Sequence, residues 1–118
     1  MSLFTHEKKA FLTQLTDDNF QFETTLTFID THYNFSASAF NNGGVINSAE
    51  QNQGSCKVFA LAQLLELNKE QVLACFGQHY RDVLATPDTD NHHNLRRVLE
   101  DGLNNISFDH FPLEQKES

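Results

Sequence analysis

The chain has 118 residues, with sixteen acidic against eight basic side chains and a formal charge of −8 at pH 7. That length, with 39 % hydrophobic residues, supports one domain and one core without a metal or disulfide staple. The charge argues against a nucleic-acid partner or an anionic membrane, since both require a concentrated Lys/Arg footprint.

Other compositional features narrow the class further. The apolar runs are only a few residues long, so no bilayer span is expected. Met1-Ser2-Leu3-Phe4-Thr5-His6 has no apolar block behind a basic stretch, so no secretory signal is expected. Two cysteines, Cys56 and Cys75, are too few for a disulfide framework and suit a reducing compartment. Eleven Phe and no Trp point to a phenylalanine-built core.

In chain order, the spacing of Phe11, Leu12 and Leu15 predicts a helix over Thr5–Leu15, capped by Thr5 with Glu7 in its first turn. Asp18 with Gln21 resembles a capping box for a second helix, with Phe22, Leu26, Ile29 and Tyr33 on its buried face. Asn34–Phe40 partly alternates and reads as a short strand. Asn41-Asn42-Gly43-Gly44 is a turn signal, with Val45-Ile46 returning as a second strand. Glu50–Ser55 is polar and irregular, and a loop as long as residues 34–55 is uncommon unless it is functional.

A third helix is predicted over Cys56–Leu67. It is apolar on nearly every side and therefore central. Asn68 with Gln71 forms a capping box, Leu67 and Val72 form a staple, and Gly77 ends the fourth helix. His79–Leu84 is another helical piece, stopped before Pro87. Asp88 or Asp90 then caps a last helix ending near Gly102. Ile106-Ser107-Phe108 alternates like a strand, and the tail from Glu114 is expected to fray. The predicted class is α+β: a mainly helical single domain over 1–118, with a central helix at about 56–67 and a small sheet of short strands.

Several blocks together resemble the HopJ type III effector family. They are Ile29-Asp30-Thr31-His32-Tyr33-Asn34-Phe35, Ala39–Gly43, Gln51-Asn52-Gln53-Gly54-Ser55-Cys56-Lys57-Val58-Phe59-Ala60, Leu73–Arg81 and Asp82–Asp88 with Asp90-Asn91-His92. The resemblance covers most of residues 20–110. It implies that some relatives are delivered into host cells by a type III system, and it implies no settled biochemical activity. A fold or family does not by itself give a function.

Three candidate sites follow from the residues. Cys56, after Gly54-Ser55 and at a helix start, is a candidate nucleophile, because backbone N–H groups and the dipole stabilise a thiolate there. Gly-Ser-Cys before an apolar helix is similar to the nucleophile region of papain-like proteases. However, this chain is too short for that fold, and Glu50 stands where an oxyanion-stabilising Gln is expected. The nucleophile would need His92, His93 or His79 as base. The alternative is that Cys56 simply packs.

Asp88, Asp90 and His92 are candidate ligands for a divalent metal, against the alternative of a helix cap with polar first-turn residues. His32, Asn52, Gln53 and Ser55, with Cys56 and His92, are candidate walls of a ligand pocket. No cofactor is implied. The leading expectation is a protein that binds a protein partner or a small molecule. The alternatives are a cysteine-dependent enzyme and a metal-binding module.

Overall fold

The computed structural model describes residues 3–89 and 91–116, and the side chains of all of these except Leu3 and Phe4. Among the described residues there are six helices and five three-residue strands, in the order two helices, three strands, four helices and two strands. They are α1 (Leu3–Gln14), α2 (Phe22–His32), β1 (Tyr33–Phe35), β2 (Phe40–Asn42) and β3 (Val45–Asn47). After these come α3 (Gln53–Leu65), α4 (Lys69–Cys75), α5 (Gln78–Ala85), α6 (His93–Asp101), β4 (Ile106–Phe108) and β5 (Leu113–Gln115). The α+β class is as the sequence predicts.

The α3 helix is the centre of the core. Cys56, Val58, Phe59, Ala60, Leu61 and Ala62 are all buried, so this stretch is enclosed around its whole circumference. The helix then emerges, and Leu64 is exposed. It starts at Gln53 and ends at Leu65, three residues before and two before the predicted limits. The polar Gln53-Gly54-Ser55 is therefore its first turn and not a loop. Glu66 stops it in the left-handed region at φ 55°.

Phenylalanine packs the interior as expected. Phe11 stacks on Phe28, Phe40 meets Phe59 edge-on, and Phe59 meets Phe76.

The strand segment differs from its predicted form. Asn34–Phe40 is not one strand, because its two ends join different sheets. β1 pairs antiparallel with β5, Tyr33 opposite Gln115. β2 is the middle strand of a second antiparallel sheet, ordered β3-β2-β4, and turns into β3 at Gly43-Gly44. The tail does not fray at Glu114. Glu114 and Gln115 belong to β5, Lys116 donates its backbone N–H to the His32 carbonyl at 2.9 Å, and its Nζ donates to the Asp30 carbonyl at 2.7 Å. Glu117 and Ser118 lie outside the described residues.

The helix starts show which caps formed. Asn68 and Gln71 make the predicted box, Asn68 Oδ1 accepting from Gln71 N at 2.8 Å and Gln71 Oε1 from Asn68 N at 2.9 Å. Thr5 lies inside α1 and does not cap it. Asp18 does not cap α2 either: that helix starts at Phe22, whose N–H is taken by Gln78 Oε1 from α5 at 2.8 Å. A partner remote in sequence thus does the work expected of a local one. Asp88 is likewise no cap, because α6 begins only after His92.

Candidate functional site

The starts of α3 and α6 come together around one polar cluster. Asn47 at the end of β3, Asn94 in the first turn of α6 and Asn42 in β2 are all buried. Asn94 Nδ2 donates to Asn47 Oδ1 at 2.9 Å, and Asn94 Oδ1 accepts from Asn47 and from Asn42, each at 3.2 Å. Asn42 Nδ2 also reaches the Asn94 carbonyl at 3.0 Å. Asn52, the residue before α3, donates to Asn47 Oδ1. Buried amides are stable only when their donors and acceptors are matched, so this network fixes the hairpin, α3 and α6 in register.

A second network positions the loop before α6. The Arg96 guanidinium donates to the Thr86 carbonyl at 2.8 Å, to Thr89 Oγ1 and Asn91 Oδ1 at 2.7 Å each, and to the Asn91 carbonyl. The loop delivers His92 in a left-handed conformation at φ 53°. Asp82 of α5 then holds the ring, its Oδ2 lying 3.1 Å from His92 Nε2.

Between these networks lies a cleft of about 510 Å³. One wall is β3 and the α3 start, with Asn47, Asn52, Gly54 and Ser55. The other carries His79, His92, His93 and Asn94. Phe22 and Phe76 stack at 5.8 Å beneath, and the ring series continues from Phe22 to His79 at 5.0 Å and from His79 to His92 at 5.2 Å. The core's aromatic packing thereby runs out to the cleft. Gly54 is required by this closeness: a Cβ there would sit 2.9 Å from Phe22 Cζ. The helix starts themselves are open, since neither Asn52 nor His92 caps its own helix with its side chain.

The structure divides the candidate residues. Asn52, Ser55 and His92 are brought together on the cleft. Gln53 is exposed and bonds back to the Ala49 carbonyl, outside the lining. His32 is elsewhere, in the last turn of α2, ion-paired with Glu7 and lying against the Phe28 ring at 4.8 Å.

Cys56 does not have the setting of a nucleophile. It is 1 % exposed, and its thiol faces the Ser38 carbonyl at 3.7 Å. Burial pushes the thiol up, and the Ser38 contact offsets this only in part. Because α3 starts at Gln53, the Cys56 N–H is already inside the helix ladder, bonded to the Asn52 carbonyl at 3.0 Å. The dipole advantage expected at a helix start falls on Gln53, Gly54 and Ser55.

For the metal reading, Asp88 is exposed and Asp90 lies outside the described residues. Among the described residues, no three His, Cys, Asp or Glu side chains are grouped to hold a metal ion.

Asn94, Arg96 and Asp82 were not singled out from sequence. Their spacing resembles that of ordinary surface polar residues, and their role depends on contacts between distant segments.

Residues 8–113 match the HopJ type III effector protein family, and the chain belongs to that family. The crystal structure of VPA0580, a protein of unknown function, superposes with a TM-score of 0.86 at 40 % sequence identity. The match covers 98 % of this chain and 95 % of that one. No curated protein matches the chain. Among the described residues, no helix is long and apolar enough to cross a membrane.

Proposed function

We propose that this HopJ protein is a binding module whose recognition site is the cleft between the starts of α3 and α6. The observation that supports this is the buried Asn42–Asn47–Asn94 network with Asn52. A polar cluster costs stability unless fully matched, and an apolar cluster would fill the same space more simply. The amides instead hold two helix starts apart across an open, partly aromatic volume within the size range of small-molecule sites. The Cys56 setting, buried and facing a carbonyl, favours binding over cysteine chemistry.

The test is a thermal-shift screen of the full chain against a chemically diverse fragment set, repeated with Ser55→Trp to fill the cleft. Fragments that raise the melting temperature of the wild type and not of the variant are expected. Equal shifts in both proteins, or none in the wild type, would refute the reading.

Family membership also favours delivery into a host cell as the place of action. A translocation reporter fused to the C-terminus should give signal only from a strain with a working type III system. An identical background from the secretion-null strain would leave the bacterial cytoplasm as its place of action.

A further inference from the structure

The chemistry of the cleft wall narrows what it holds. We infer that the ligand is an organic oxyanion, a carboxylate or phosphate borne on a flat apolar body; the inference rests on the cleft being the recognition site. The chain carries twice as many acidic as basic residues, yet among the described residues no Asp or Glu lines the cleft. Three of its six histidines do: His79, His92 and His93. An imidazole offers an N–H donor whether neutral or charged, and charged it adds direct attraction for an anion.

His92 is oriented for this role. Its Nε2 is engaged by Asp82 from behind the lining, which leaves Nδ1 as the ring nitrogen not taken by that contact. Among the described residues two carboxylates bear on the cluster: Asp82 at His92, which also lies 3.5 Å from Asn91 Nδ2, and Glu23, which interacts electrostatically with His79.

The surroundings agree with the imidazoles. Gly54 and Ser55 on one side and His93 and Asn94 on the other are first-turn residues of α3 and α6. The positive ends of two helices thus border the same volume. The apolar part of the lining gives the second half of the specification. Half-buried Phe22 presents ring surface, Phe76 reaches the lining while itself buried, and Ile46 is 70 % exposed at the rim. A bare inorganic anion would leave that surface unused, and a cation would meet imidazoles and helix N-termini with no carboxylate among the described residues of the wall.

The experiment is a ¹H–¹⁵N correlation titration of the full chain with one set of aromatic fragments. Each is prepared as carboxylate, phosphate ester, neutral amide and ammonium, with inorganic phosphate alongside. The carboxylate and phosphate forms should shift the amides of Gly54, Ser55, His93 and Asn94. Their binding should weaken about tenfold in the His79→Gln/His92→Gln variant, as expected for loss of charge-assisted bonds. Variant spectra unchanged away from the cleft establish that the fold is kept, and single His79→Gln and His92→Gln variants replace the double one if it does not fold. Neutral or ammonium forms binding as well as the anions would overturn the oxyanion inference and leave the cleft as a binding site. Inorganic phosphate binding as well as the aromatic anions would overturn the apolar half of the specification. No shift at those amides with any form would overturn the cleft reading as well.

Discussion

Cys75 shows what burial does to a single titratable group. It is completely buried in α4, and desolvation pushes its thiol up to about 12 from an ordinary 9.0. A hydrogen bond between the Thr25 side chain and the thiol offsets this in part. Below pH 9 both the folded and unfolded chains keep the proton, and the burial carries no penalty. Between pH 9 and about 12 the unfolded chain releases it while the native chain does not, so stability falls as pH rises, by ~1.4 kcal/mol per pH unit. Cys56 and Tyr33, both raised by burial, act in the same direction. Urea unfolding at ~pH 8 and ~pH 10.5 should therefore show a marked loss, and Cys75→Ala should flatten it. Equal losses in both proteins would mean that Cys75 is not the group responsible. The residue scale is also where sequence was least informative. Cys56 attracted attention because of the glycine and serine before it, whereas Asn94 and Arg96 organise the site through partners that no local pattern shows.

Among the elements, the junction of α4 and α5 is the tightest point. Gly77 has φ +54°, and a Cβ there would lie 2.5 Å from the Phe22 backbone nitrogen and 2.8 Å from the Phe20 carbonyl oxygen. Backbone cannot swing aside as a side-chain tip can. Gly77→Ala should cost roughly 2–5 kcal/mol, combining the left-handed strain with overpacking. It should also disturb the cleft floor, since Phe22 moves with α2. The measurement is the urea midpoint together with the Phe22 amide signal, and a midpoint within error of wild type would show that the junction yields. Helix existence, the central α3 and the Asn68–Gln71 cap were legible because they depend on periodicity and neighbours a few residues apart. The α2 and α6 starts were not, because Gln78 caps the first from another helix and His92 opens the second in a conformation that composition does not signal.

At the scale of the molecule, the strands carry the long-range order. A three-residue strand leaves little alternation to read: β4 showed it at Ile106-Ser107-Phe108, but β5 passed as tail and the Asn34–Phe40 segment as one strand. Their pairing is decided by what lies opposite. The β1–β5 ladder joins Tyr33 to Gln115, and Leu113, 5 % exposed, anchors the later strand in the core. Leu113→Ala should cost about 2–4 kcal/mol. Native-state hydrogen exchange should then show the β1 amides losing protection together with those of β5, while β2–β3 amides keep theirs. Loss of protection in β5 alone would show that the ladder adds little to β1.

The same ladder also bears on the order of folding. β1 lies about 80 residues before β5 and cannot complete its hydrogen bonds until the chain is available through Gln115. The helices can form from local contacts, but this sheet has to wait for a long closure. A chain held partly unfolded, or still emerging during synthesis, would therefore present β1 as an unpaired edge, open to a chaperone or another strand until β5 closes over it.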